Sequence, residues 1–243
     1  PEGARDFLVP SRMHPGKFYA LPQSPQIYKQ ILMVSGFDRY YQIARCFRDE
    51  ALRADRQLEF TQIDVEMSFV DEDDIIKVIE GLMETIYKET LGIELKPPFV
   101  RVGYDECMEL YGIDRPDLRY DLKINNLSDA FAGCEFRVFN QILETGGRIR
   151  GIVVPGAAGY SRKELDDINA VAIDMGSKGC VWQRVGTAGE HDSSIKNIVS
   201  QPYFDKAAEL AGASKGDLLV FVGGSDSLTS KVLARLRQYL AAK

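Results

Sequence analysis

Arg48, Asp49, Glu50, Arg53, Asp55, Arg56 and Gln57 crowd charge and amide groups into one short stretch of the chain. Guanidinium groups are planar forks that hold phosphates and carboxylates through paired hydrogen bonds. A turn that only reversed the chain would use Asn-Gly or a glycine-bearing link. The mixture of signs suits a site that grips a polyanion while admitting a second large ligand. Upstream, Gln26 and Lys29 stand three residues apart and share one face of a predicted helix. Alone they are an ordinary solvated pair; beside the charged stretch they become binding candidates. His14, in Met13-His14-Pro15-Gly16, has no ligand partner at metal spacing, so no metal site is predicted.

Two segments of two-residue period must position the charged stretch. On the return segment Ile63, Val65, Met67 and Phe69 face one way, and Gln62, Asp64, Glu66 and Ser68 the other. On the outgoing segment Gln42, Ala44, Cys46 and Arg48 share a face, opposite Tyr41, Ile43 and Phe47. The pattern predicts an antiparallel hairpin whose loop is far longer than usual. Before it, Ser24 reads as an N-cap with Pro25 at the first helical position. Ile27, Ile31, Leu32 and Val34 then form the expected buried side, and Gly36 stops the helix. After the hairpin, Asp71-Glu72-Asp73-Asp74 sets carboxylates at the positive end of a scaffolding helix that runs to Gly92. Residues 100–102 suggest a short strand, and Asp105 to Tyr111 a short helix stopped by Gly112.

From about Arg119 the composition changes. Strand-like segments (Glu135–Ile142, Arg148–Pro155, Gly179–Val185 and Asp217–Val222) alternate with helical ones, predicting an α+β unit of roughly a hundred residues. Its clearest helix opens on the capping box Ser161-Arg162-Lys163-Glu164. Another runs from about Pro202 to Ala211, and a last one carries Leu228, Val232, Leu233, Leu236 and Leu240 on one side. Gly156-Ala157-Ala158-Gly159 lacks the Gly-Lys-Ser/Thr ending of a phosphate loop and reads as a turn.

The 243 residues carry a net charge of −6, which argues against a generally basic nucleic-acid binder but leaves room for a local basic patch. The four cysteines are scattered without C-x-x-C spacing, so reduced thiols are expected rather than a zinc site or disulfide framework. No apolar run is long enough to span a membrane.

Phe47-Arg48-Asp49-Glu50, the charged loop, and Glu59-Phe60-Thr61-Gln62-Ile63-Asp64-Val65-Glu66 together resemble motif 2 of class II aminoacyl-tRNA synthetases. The wording is similar to that of bacterial-type aspartyl-tRNA synthetases. The run from Leu21 to Lys29 resembles their amino-acid-binding segment. The α+β unit resembles an insertion that they share with the B subunit of the tRNA-dependent amidotransferase. Eukaryote-type aspartate enzymes, and the asparagine and lysine enzymes, lack it.

The resemblance implies an α+β chain: part of an antiparallel-sheet catalytic domain (1–118), an inserted domain (119–224), and a helix returning to the catalytic domain (225–243). It implies ATP-dependent activation of L-aspartate to aspartyl-adenylate and transfer to the 3′ end of tRNA. Arg48 is then the catalytic residue, bridging the α-phosphate and the attacking carboxylate. Glu2, Ser24 and Gln26 would hold the α-ammonium group, and Lys29 the side-chain carboxylate, with Asp64 steadying the lysine. Asp49, Glu50 and Gln57 would join Arg48 at ATP, Phe60 would stack on adenine, and Glu50 with Arg53 would touch the tRNA acceptor end. Mg2+ ligands are expected mostly outside this chain. A homodimeric, cytoplasmic parent is implied, with tRNA, L-aspartate and ATP as partners and no membrane. The start at Pro1 and the end at Lys243 read as those of an excerpt, expected to be inactive without motif 3. Two other readings stay open: a non-catalytic synthetase-like module that binds tRNA or a partner, and an asparagine-activating relative.

Overall fold

The computed structural model describes residues 3–52 and 56–243, and the chain divides into two compact units, Pro1–Val100 and Arg101–Lys243. Both are mixed α+β with antiparallel sheets.

The first unit opens on β1 (Leu8–Pro10), antiparallel to β2 (Phe18–Ala20), and continues through α1 (Gln26–Val34). The predicted hairpin follows as β3 (Arg39–Phe47) and β4 (Glu59–Met67), in unbroken antiparallel register from Arg39 opposite Met67 to Phe47 opposite Glu59. Register fixes faces, because successive side chains alternate. Tyr40, Gln42, Ala44 and Cys46 therefore share one face with Phe60, Gln62, Asp64 and Glu66. That mostly polar face is the covered one, with Ala44, Cys46 and Asp64 buried, whereas Tyr41, Ile43 and Ile63 on the apolar face are exposed. Phe69 does not extend the apolar row; it takes a φ of 57° beyond the end of β4.

The helix expectations need two corrections. In α1, Lys29 is the buried residue at 7% exposure, while Ile27 is 70% and Val34 90% exposed, and Ile31 is exposed as well. The helix turns its polar face to the hairpin because the hairpin face it meets is polar and carries carboxylates. Nor does Ser24 cap this helix: Pro25 occupies the cap position, no side chain caps it, and the Ser24 hydroxyl is buried without a hydrogen-bond partner. By contrast α2 (Glu72–Leu91) has the acidic start foreseen for it. Asp71 accepts from the backbone N–H groups of Asp73 and Asp74, Asp74 reaches back to the Asp71 N–H, and Gly92 closes the helix at φ 66°.

The second unit contains α3 (Tyr104–Tyr111), β5 (Ile124–Asn126), α4 (Ser128–Phe131), α5 (Arg137–Glu144) and β6 (Arg148–Val154). It continues with α6 (Arg162–Asp174), β7 (Val181–Arg184), β8 (Asp192–Ser193), α7 (Gln201–Leu210), β9 (Leu218–Gly224) and α8 (Asp226–Ala241). The sheet order is β5-β6-β9-β7-β8, antiparallel throughout. Central β9 is buried on both faces. Leu218, Val220 and Val222 pack with α6 and α8 residues such as Leu165, Ile168, Leu233 and Leu236, and Leu219 and Phe221 pack with Phe131, Phe139 and Phe204. A strand covered on both sides reads as a continuous apolar run, which is why it was visible in the sequence. The capping box at Ser161 and the turn at 156–159 are present as foreseen.

Two expectations fail here. Glu135–Ile142 is not a strand but falls largely within α5; Phe136, Phe139, Ile142 and Leu143 recur at helical spacing and all pack on one core. Residues 100–102 form no strand. The second compact unit runs from Arg101, and the terminal helix α8 packs within it. The tie is partly polar. Arg237 of α8 is buried; its Nε donates to the Leu122 carbonyl at 2.5 Å and its Nη2 to that of Asp117 at 3.3 Å. Its guanidinium lies 4.7 Å from the Tyr111 ring centroid and 5.0 Å from that of Tyr120.

Candidate active site

In the first unit the covered face of the hairpin packs against α1, and charged side chains meet where the two join. Lys29 points from α1 between two carboxylates of β4, with Nζ 3.0 Å from Asp64 Oδ1 and 2.6 Å from Glu66 Oε1. Asp64 and Glu66 are two apart on one strand, so the pleat itself presents both to one cation. Burial by itself pulls the Lys29 ammonium down, but hydrogen bonds to Glu66 and Asp64 outweigh it and leave its pKa raised. Asp64 keeps its Oδ2 buried without a hydrogen-bond partner. Tyr40, opposite Glu66 across the hairpin, donates its hydroxyl to Gln42.

At the loop end, Arg48 is half-buried. Its Nε donates to the Gln23 carbonyl at 3.2 Å, and its guanidinium sits 5.1 Å from the centroid of the Phe60 ring. A cation over an aromatic face is held without losing all its N–H donors, which leaves the fork available for an anion. Gln23 is buried and donates through Nε2 to the Ala4 carbonyl at 3.0 Å and to Asp6 Oδ1 at 2.7 Å. The Asp49 N–H donates to the Arg5 carbonyl at 3.1 Å. The N-terminal segment is thereby laced to the segment before α1 and to the start of the charged loop.

Gln26 opens α1 one turn before Lys29, and Ser24 precedes the cap residue Pro25. Asp49 and Gln57 are exposed, and Glu50 pairs with Arg56 at 3.0 Å. Glu2 and Arg53 lie outside the described residues. Arg48 and Phe60 are thus brought together at one end of the hairpin, and Lys29, Asp64 and Glu66 along the same face. Sequence reasoning missed Gln23 and Glu66. Alternation had already put Glu66 beside Asp64 and could have flagged it; for Gln23, a glutamine in a proline-rich run, there was no signal. Among the described residues no group of three or more His, Cys, Asp or Glu side chains could hold a metal ion. No helix among them is long and apolar enough to cross a membrane.

A family model described as "tRNA synthetases class II (D, K and N)" matches residues 1–220. An aspartate–tRNA(Asp/Asn) ligase of Persephonella marina is 53% identical over all 243 residues, which make up 40% of that relative's length. A protein of the same name from Desulfotalea psychrophila is 50% identical, again over the whole chain and 40% of the relative. An aspartate–tRNA ligase of Ruminiclostridium cellulolyticum is 49% identical over the whole chain and 41% of the relative. The chain therefore spans about two fifths of the length of the curated relatives it matches.

Proposed function

Since the chain belongs to the class II tRNA synthetases of the D, K and N group, we propose that it is the motif 2 and insertion portion of an aspartate–tRNA ligase. The whole enzyme activates L-aspartate with ATP and passes the aspartyl group to the 3′ end of tRNA. It works as a cytoplasmic homodimer. The single observation that carries this assignment is Lys29, a buried ammonium on the same hairpin face as the Arg48 guanidinium.

In the first step the substrate α-carboxylate attacks the α-phosphorus of ATP, forming the mixed anhydride and releasing pyrophosphate. One anion approaches another, so charge neutralisation matters more than proton transfer. Arg48 supplies it: a fork steadied by the Gln23 carbonyl and the Phe60 face spans the two reacting groups. Asp49, Glu50 and Gln57 serve the nucleotide, with Phe60 as a stacking surface for adenine once the guanidinium shifts toward phosphate. Glu50 and Arg53 reach the acceptor end of the tRNA. Glu2, Ser24 and Gln26 receive the α-ammonium group, Ser24 through its unpartnered buried hydroxyl. Lys29 takes the side-chain carboxylate. An amide in place of that carboxylate would waste a buried cation, the kind of polar mismatch that discriminates by about 10⁴–10⁵. Magnesium would neutralise phosphate charge; among the described residues no group of three or more His, Cys, Asp or Glu side chains could hold it, and we place its ligands mostly outside this chain.

Residues 119–224 we assign to the inserted domain found in the bacterial-type enzymes. Charging of asparagine tRNA as well is a second reading, favoured by the names of the Persephonella marina and Desulfotalea psychrophila relatives. Aspartate-dependent pyrophosphate exchange by the full-length enzyme tests the assignment. Lys29→Ala should raise the KM for aspartate by about 100-fold, the worth of one charge-assisted hydrogen bond in a buried site, and leave that for ATP nearly unchanged. Equal losses for both substrates would refute it.

A further inference from the structure

Lys29 is over-compensated. One ammonium faces two carboxylates, giving the cluster a net charge of −1 before any acidic substrate arrives. A lysine ammonium has three N–H donors, and Asp64 and Glu66 take two of them. A third carboxylate would bring three anions around one cation, and like charges at that spacing repel strongly where water is scarce. One carboxylate must therefore yield. The side chain of Asp64 is 6% exposed and that of Glu66 39% exposed. Asp64 is short and enclosed, with one oxygen already buried and unpartnered. Glu66 has a longer stem and open access to water. Tyr40, directly opposite, commits its hydroxyl to Gln42 rather than to Glu66.

We propose that Glu66 is a displaceable counter-ion: it holds the Lys29 ammonium until the side-chain carboxylate of the substrate arrives, then swings to solvent. Glu66 thereby weakens aspartate binding. This role rests on Lys29 being the partner of that carboxylate, as proposed above. The charged and titratable groups facing Glu66 are Lys29 from α1, Asp64 on its own strand and Tyr40 from β3. Lys29 and Tyr40 both have raised pKa values, Lys29 for the reasons given above and Tyr40 through burial and then the charge of Asp64.

The experiment measures aspartate KM by pyrophosphate exchange in the full-length enzyme at pH 8, for wild type, Glu66→Gln, Glu66→Ala and Lys29→Ala. Glutamine keeps an acceptor for Lys29 and removes only the charge. Glu66→Gln should lower the aspartate KM about five-fold at pH 8, a screened like-charge repulsion at a part-exposed site. It should also widen the preference for aspartate over asparagine. If Glu66→Gln and Glu66→Ala both raise the aspartate KM, Glu66 only props Lys29 in place and the counter-ion role is overturned. If Lys29→Ala leaves the aspartate KM unchanged, the assignment of Lys29 itself fails, whatever Glu66 does.

Discussion

Arg237→Ala should loosen the whole second unit. The side chain is buried in α8 and satisfies the carbonyls of Leu122 and Asp117, residues more than a hundred positions away in sequence. Hydrogen bonds from a charged donor are worth about 1.5–3 kcal/mol each, and the two flanking rings add about 0.5–2 kcal/mol. Against this, alanine removes the desolvation that pulls the Arg237 pKa below its usual value. The net expectation is a loss of about 3 kcal/mol. Trp182 on β7 is the sole tryptophan and lies in this unit, so its fluorescence follows the relevant transition. With a urea m-value of about 2 kcal/mol/M, the midpoint should fall by about 1.5 M. Arg237→Lys should recover only part of the loss, because an ammonium keeps the charge without the planar fork. A midpoint shift below about 0.3 M for Arg237→Ala would mean that the buried guanidinium does not hold residues 117–122 to α8, and the reasoning would fail.

Other perturbations address different links. Gly112 closes α3 at φ 71°, and a Cβ there would sit 2.4 Å from the Ser230 carbonyl oxygen of α8. Gly112→Ala should cost about 2–4 kcal/mol from left-handed strain and the forced shift, and a urea midpoint equal to wild type would contradict the close approach. Glu109 has its pKa lowered, chiefly by the hydrogen bond from Arg148. A depressed carboxylate adds stability that is complete above its unfolded value of about 4.3 and disappears as pH falls through the folded value. Acid unfolding of the second unit should accordingly steepen below that point, and Arg148→Met should remove part of the slope; an unchanged slope would exclude the pair as its source. Burial pushes the Cys180 thiol up to about 12, so maleimide labelling followed by peptide mapping at pH 8 should find it protected until urea unfolds the unit. Rapid labelling in the native state would refute that.

The polar cluster, the hairpin and the double-sided core strand were legible because each depends on local period or on a continuous apolar run. Alternation alone put Asp64 and Glu66 on one face, and a nine-pair register then carried that order through the whole ribbon. Helix ends were legible where a side chain meets its own backbone, as at Asp71 and Ser161, since such caps involve neighbours in sequence. What the tertiary structure alone decided was which face of a correctly predicted element is covered. Periodicity predicted that α1 would bury Ile27, Ile31 and Val34; the helix instead buries Lys29, because a desolvated ammonium is stable only where carboxylates from another element meet it, and those lie 35 and 37 positions along the chain. The same holds for Arg48 on Gln23 and for Arg237 on the 117–122 segment: these guanidinium groups donate to backbone carbonyls, which carry no residue-type signature. Amino-acid order specifies periods and caps, whereas pairing between distant polar groups exists only once the chain has closed on itself.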